Sequence, residues 1–397
     1  MKKRIAILGA TGSIGDSTLS VIVKHPERYQ VVGLSGFSRL QKLLQLCQKF
    51  QPKFVSVPSD KVDAFQSLLK NANLDCEVLS GSHGLDTLAS LDDVDVVVAS
   101  IVGSAGLSST LSAVKAGKTV LLANKEALVM AGELMMQEVA RSGATLLPLD
   151  SEHNAIFQCL PTHVQQNHQA IHEPKNGIKQ LWLTASGGAF LDKSYEQMQN
   201  ASIAQAVKHP NWSMGQKISV DSSTMMNKGL ELIEASYLFN MPVDKIQVVM
   251  HPQSIVHSMV EYADGSWLAQ LGTPDMRTPI AHALAYPERI DSGVTTLDLF
   301  SLSNLSFIKP DLTKFKCLAL AYQAMRAGSY ACIALNASNE VAVQAFLDGK
   351  IRLTDIAEIN EKVLNNIEYQ AIHSLDDILA VDNLAREKVN AFVGELI

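Results

Sequence analysis

The chain reads as an α/β protein with a doubly wound parallel sheet at its N-terminal end, a central α/β segment and a C-terminal helical bundle. Three observations predict this. Short β-branched runs alternate with helically spaced segments through the first 150 residues, the rhythm of parallel strands joined by crossover helices. Beyond residue 150 come the strand-like runs "LWLT" and "IQVVMHPQSIVHSMVEYADGSWLAQL", the second carrying an Asp264-Gly265 turn that reads as a hairpin. From about 312 onward the runs are helical, and "CLALAYQAMRAG" and "ASNEVAVQAFLDG" end at glycines as helices often do.

In order, the N-terminal strands are expected at Arg4–Leu8, Val31–Ser35, Phe54–Val57, Val94–Ala99, Thr119–Ala123 and Thr145–Leu149, with helices such as Leu40–Phe50 and Leu128–Arg141 among them. The expected domains are 1–150, 151–285 and 312–397, and the Pro-, Ser- and Asp-rich stretch 286–311 reads as a linker. A chain of 397 residues is long for one core, and two or three domains agree with it. The net charge of −7 gives no basic footprint for nucleic acid or for a membrane surface. The run Ile5–Leu8 after the basic start is too short for a signal sequence, and no apolar stretch is long enough to span a membrane. Five scattered cysteines form neither a disulfide framework nor a zinc spacing, which suits a cytoplasmic protein.

"RIAILGATGSIGDSTLSVIV" is a strand, a glycine turn and a helix, with Gly9, Gly12 and Gly15 spaced G-x-x-G-x-x-G. Such a turn lets backbone approach a pyrophosphate, which the helix N-terminus then binds. The predicted domain is therefore of the Rossmann type. A site for NAD places an acid after the second strand to bond the ribose 2′-hydroxyl. Here "LSGFSRL" offers Ser38 and Arg39 instead, groups that suit a 2′-phosphate, so NADPH is the expected cofactor. Lys125, in "LLANKEALVM", stands at a strand-to-helix junction, where a ligand-facing role explains a cation better than capping does.

"LPLDSEHNAIFQ" places Asp150 and Glu152 on one side of an extended segment, readable as a metal pair or as caps of a helix starting near Asn154. The stretch "HPNWSMGQKISVDSSTMMNKGLELIEA" favours the metal. Its Asp221, Ser222 and Ser223 are expected to cap a helix on which Asn227, Lys228 and Glu231 share one face. Ser222, Asn227 and Lys228 would then bind an anion at a helix start, and Glu231 would add a third carboxylate. An all-oxygen site of this kind suits Mg²⁺ or Mn²⁺. Ser186, in "LTASGGAF", lies in a second phosphate-friendly turn. His209, Trp212 and Met214 are expected in a lid hinged at Pro210 and Gly215.

Together "GATGSIG", "NKE", "DSEHNAIFQ", "TASGGAF", "HPNWSMGQKISVDSSTMMNKGLELIEA" and "HPQSIVHSMVEY" resemble the 1-deoxy-D-xylulose 5-phosphate reductoisomerase family, from end to end of the chain. The resemblance implies isomerisation and NADPH-dependent reduction of a keto-sugar phosphate to 2-C-methyl-D-erythritol 4-phosphate, in isoprenoid precursor synthesis, by a homodimer. It implies metal ligands at Asp150, Glu152 and Glu231. Phosphate contacts fall on Ser186, Ser222, Asn227 and Lys228, with His209 beside them. Ser151 and Lys125 match residues at the oxygenated end of the substrate. The implied catalytic set is Lys125, Asp150, Glu152, His209 and Glu231. Cofactor contacts are expected at Gly9, Thr11, Gly12, Ser13, Ile14, Gly15, Gly36, Ser38, Arg39, Asn124, Glu126 and Gly215. Where the family often has Lys or Ser followed by Asn after the second strand, this chain has Ser38-Arg39. His153 and His257 have no assigned role.

Two other classes share the nucleotide domain. A dehydrogenase of the homoserine or semialdehyde type is one, and the semialdehyde type would need a nucleophilic cysteine such as Cys159. A non-catalytic NADP sensor is the other, and three carboxylates beside an anion cluster argue against it.

Overall fold

A computed structural model of the chain describes residues 1–209 and 215–395. They form two compact units. The first comprises Met1–Ala127, Met135–Asn154 and Asp275–Thr295; the second comprises Leu128–Leu134, Ala155–Pro274 and the chain from Thr296 onward.

Seven parallel strands build the first unit: β1 (Lys3–Leu8), β2 (Tyr29–Ser35), β3 (Phe54–Val57), β4 (Glu77–Ser80), β5 (Val96–Ala99), β6 (Thr119–Leu122) and β7 (Thr145–Pro148). They lie in the order β4-β3-β2-β1-β5-β6-β7. Central strands buried on both faces read as continuous apolar runs, and Ile5, Ile7, Val97, Val98 and Leu121 are fully buried here. The chain winds outward from β1 to β4, then returns to β5 on the other side of β1. The carboxyl ends of β1 and β5 thus form the switch point at which such sheets bind ligands. The doubly wound sheet is as the sequence predicts. Strand β4 was not foreseen, because its four residues are half exposed at the sheet edge and carry no long apolar run.

The segment Asp275–Thr295 returns to this unit. Its helix Arg277–Ala285 packs on the helix Ser13–Lys24 that follows β1. Lys3 Nζ donates to the Leu284 carbonyl at 3.1 Å, and Lys24 pairs with Asp291 at 3.0 Å. The stretch 286–311 therefore divides, its first ten residues with the first unit and the rest with the second.

The second unit holds a four-stranded sheet of β8 (Ile178–Ala185), β9 (Ile246–Met250), β10 (Val256–Tyr262) and β11 (Trp267–Leu271), in the order β11-β10-β8-β9. Strands β10 and β11 form the expected hairpin, with Asp264 Oδ1 accepting from the Ser266 N–H at 2.9 Å. Helices Lys316–Ala327, Ser329–Leu347, Asp355–Asn366 and Leu375–Gly394 pack on one another as the C-terminal bundle.

Candidate active site

In the first unit the glycine turn leads from β1 into the helix Ser13–Lys24. A Cβ at Gly15 would lie 2.3 Å from the Ala10 carbonyl oxygen, so only glycine lets this helix begin so close to the strand. The Gly9 N–H donates to Ser35 Oγ at 2.8 Å, tying the turn to the end of β2. Thr11 is buried, while Ser13 at the helix start is exposed. Gly36 follows β2 directly, then exposed Phe37, Ser38 and Arg39. The Arg39 guanidinium reaches back to the turn, its Nη1 donating to the Thr11 carbonyl at 3.0 Å. No acid stands at the end of β2, so the residues present fit a 2′-phosphate and not a free ribose hydroxyl. Lys42 donates to the same Thr11 oxygen at 3.0 Å. Sequence reading missed it, because a lysine inside a helical run carries no local signal.

Asn124 and Glu126, on the cofactor-facing side by expectation, are both buried, and Asn124 Nδ2 donates to the Gly103 carbonyl at 3.1 Å. Between them Lys125 opens the helix Lys125–Ser142, and its Nζ lies 2.6 Å from Asp150 Oδ2. The extended reading of Asp150–Glu152 is corrected. The helix Ser151–Cys159 starts at Ser151, and the Asp150 carbonyl already accepts from the Asn154 N–H at 2.9 Å. Ser151 and Glu152 occupy its first turn, where Ser151 Oγ donates to Glu152 Oε2 at 2.6 Å. Two carboxylates at a helix N-terminus are stabilised by its dipole, and a lysine beside one of them marks a place suited to positive charge. These are oxygen donors only, which fits a hard divalent cation.

In the second unit the expected helix start is also corrected. Asp221, Ser222 and Ser223 are not caps; they lie near the end of the helix Gln216–Thr224, which follows Gly215. Lys217 and Asn339 hold Asp221 at 2.9 and 2.7 Å. The chain then breaks at Met225, whose φ of 63° is left-handed, and restarts as the helix Met226–Leu238. The break makes Asn227 and Lys228 the second and third residues of a fresh helix, so the N-terminal anion geometry arises one turn later than the hydroxyl cluster suggested. A Cβ on Gly188, at φ +64°, would lie 2.5 Å from the Ser222 carbonyl oxygen, so the glycine turn after β8 packs directly against this break.

The surface alternative for Lys228 and Glu231 fails, since they are only 4 % and 1 % exposed. Lys228 Nζ donates to Glu231 Oε2, and Asn227 Nδ2 donates to Glu231 Oε1 at 2.5 Å. Ser186 Oγ and His209 Nε2 lie 2.8 Å apart. Burial, with Lys228 nearby, pushes the His209 imidazole down to about 4, so it is neutral at pH 7. His257 is likewise held at about 4 by burial, and His153 is fully buried. The lid residues Trp212 and Met214, with the hinge Pro210, lie outside the described residues. Cys159 is buried, and burial pushes its thiol up to about 11, against the thiolate that a semialdehyde mechanism needs.

Models of this family match most of the chain: 1-deoxy-D-xylulose 5-phosphate reductoisomerase over residues 5–132, its C-terminal domain over 146–239, and a DXP reductoisomerase C-terminal domain over 271–388. A 1-deoxy-D-xylulose 5-phosphate reductoisomerase from Psychrobacter sp. (strain PRwf-1) is 64 % identical, over 98 % of each chain. One from Acinetobacter baumannii (strain AYE) is 53 % identical, over the whole of both. A solved DOX-P reductoisomerase in complex with NADPH, fosmidomycin and magnesium superposes with a TM-score of 0.95 at 57 % identity, over 99 % of each chain. The Zymomonas mobilis enzyme in complex with NADPH gives 0.90 at 43 %, again over 99 % of each.

Proposed function

The chain belongs to the 1-deoxy-D-xylulose 5-phosphate reductoisomerase family, and we propose which of its residues carry the reaction. The enzyme converts 1-deoxy-D-xylulose 5-phosphate to 2-C-methyl-D-erythritol 4-phosphate, using NADPH and a divalent metal, Mg²⁺ among those it accepts. In this reading Asp150, Glu152 and Glu231 hold the metal, a divalent ion such as Mg²⁺ or Mn²⁺. When bound, the metal supplies Lewis acidity and NADPH supplies the reducing electron pair.

The protein's own groups do the rest. Lys228 brings a buried cation to the substrate phosphate, and Ser186, Ser222 and Asn227 bring neutral donors. His209 stands beside them and can donate a ring N–H to the phosphate. Holding the remote phosphate makes binding energy available to the rearranging carbons. Lys125, set against Asp150, places positive charge where enolate-like charge develops, and Ser151 orients Glu152 through its hydroxyl. The cofactor is assigned to segment 1–150, with Gly9, Gly12, Gly15, Gly36, Ser38 and Arg39 at its phosphates. Segment 151–285 supplies the substrate phosphate contacts, with 312–397 as the helical C-terminal domain.

The observation that carries the reading is the buried Asn227–Lys228–Glu231 cluster at a helix N-terminus, costly to bury unless a ligand uses it. Metal-dependent NADPH consumption with the keto-sugar phosphate tests it, and Glu231→Gln turning over normally at limiting metal would remove Glu231 from the ligand set.

A second copy of the chain is proposed to cover β11, an edge strand with Trp267, Leu268 and Leu271 at 40–50 % exposure. An uncovered apolar edge invites aggregation, and pairing across a twofold axis removes it. Sedimentation at micromolar concentration should give a dimer; a stable monomer would refute the proposal. Among the described residues no helix is long and apolar enough to cross a membrane, and the five cysteines are unbridged. Both facts support a cytoplasmic enzyme.

A further inference from the structure

Two cations share one neutral acceptor beside the glycine turn. Arg39 Nη1 and Lys42 Nζ each donate to the Thr11 carbonyl at 3.0 Å, so the two charges stand within about twice that distance of one another. Arg39 precedes the helix Leu40–Phe50, and Lys42 lies in its first turn. The acid facing them is Asp16, in the first turn of the helix Ser13–Lys24, which pairs with Lys42 at 2.6 Å. One carboxylate against two cations leaves a net positive charge. The Asp16 side chain is 52 % exposed and that of Lys42 30 %, so water screens the pair and exchanging it for another anion costs little. Phe37, in the same loop, leaves 76 % of its surface open, a flat apolar ring next to the cations.

We infer that Lys42 joins Arg39 in a two-cation clamp for the cofactor's 2′-phosphate, and that Asp16 is a built-in counter-ion which the phosphate displaces. The inference rests on the NADPH reading above and names the specificity-determining residues within it. A phosphate monoester carries nearly two negative charges and three acceptor oxygens, enough to engage a guanidinium and an ammonium together. NADH, with a 2′-hydroxyl there, gains nothing from Lys42 and leaves the Asp16 pair in place. A purely structural Lys42–Asp16 bridge makes a different prediction. Removing either partner would then loosen the turn and weaken both cofactors alike.

The experiment is a binding titration of the whole protein without substrate, following nicotinamide fluorescence with NADPH and with NADH, and competition by 2′-phosphoadenosine. Lys42→Met should weaken NADPH and 2′-phosphoadenosine by about tenfold. Asp16→Asn should tighten both by a few-fold, because the competitor is gone. The double variant should match Lys42→Met, since Asp16 acts only through Lys42. NADH should respond to none of the three. The clamp is overturned if Asp16→Asn weakens NADPH or leaves it unchanged, or if Lys42→Met costs NADH as much as NADPH. A wild-type protein that binds NADH as tightly as NADPH would instead overturn the NADPH reading on which the clamp stands.

Discussion

Gly188→Ala tests whether the glycine turn after β8 positions the phosphate cradle. Two separate costs follow from the geometry. An alanine at φ +64° occupies left-handed backbone, at about 1 kcal/mol. Its Cβ would also stand 2.5 Å from the Ser222 carbonyl oxygen and 2.9 Å from the carbonyl carbon, both backbone atoms that cannot swing aside. Relieving such overlap costs about 1–3 kcal/mol and moves the helix Gln216–Thr224. The Ser222 carbonyl accepts from the Met225 N–H at 3.2 Å, the bond that shapes the break before Asn227 and Lys228. A shift on the order of an ångström there should cut kcat/KM for the sugar phosphate by up to about a hundredfold. NADPH affinity should hold, because the glycine turn at β1 belongs to the other unit. Gly349→Ala is the control, since Gly349 is also left-handed at φ +73° but has nothing within 4 Å of its Cβ. It should lose about 1 kcal/mol and no activity. Steady-state kinetics and chemical denaturation of both variants decide the matter. If Gly188→Ala behaves like Gly349→Ala, the turn does not position Ser222 and the reasoning fails.

Glu231→Gln should nearly abolish turnover while leaving the NADPH dissociation constant unchanged, read by kinetics across a Mg²⁺ series and by cofactor fluorescence. Arg39→Ala should weaken NADPH by roughly ten- to a hundredfold and NADH scarcely at all, with the difference shrinking as salt rises; equal losses would make Arg39 a surface residue. Burial holds His257 and His282 at about 4 instead of the ordinary 6.5. Each then binds a proton only in the unfolded chain between those pH values. Their contribution to stability is complete above 6.5 and is lost as pH falls toward 4, on the order of 2 kcal/mol apiece by pH 5. Denaturation midpoints at pH 7 and 5 should show the fall, and His257→Gln should reduce it by about 2 kcal/mol, the share of that one imidazole; an unchanged fall would mean that His257 titrates normally when folded.

The parallel sheet was legible because its inner strands are buried on both faces and so appear as unbroken β-branched runs. Strand β4 was not, since an edge strand needs no apolar run, and "EVLS" carries none. The return of Asp275–Thr295 to the first unit was hidden for another reason. Its helix is buried from Pro279 to Ala285, a run of mostly apolar residues that names no partner. Sequence spacing tells which face is buried, never against what.

The site shows the same divide more sharply. Residue types at Asp150, Glu152, Ser186, Asn227, Lys228 and Glu231 could be read directly, because oxygen donors and a cation gathered in short motifs are rare without a ligand. Their backbone setting was misread twice, in opposite directions. At Asp150 a helix starts three residues earlier than expected. After Ser223 it starts three residues later than the hydroxyl cluster suggested, because a left-handed methionine, and no glycine, makes the break. A buried methionine in that conformation has no sequence signature, since tertiary packing alone pays its strain. Apolar Met226, Gly229, Leu230, Leu232 and Ile233 cover much of that helix, but Asn227, Glu231 and Glu234 share a polar sector that spacing alone reads as a solvated face. Only the packing around the helix places Lys228 and Glu231 in the interior.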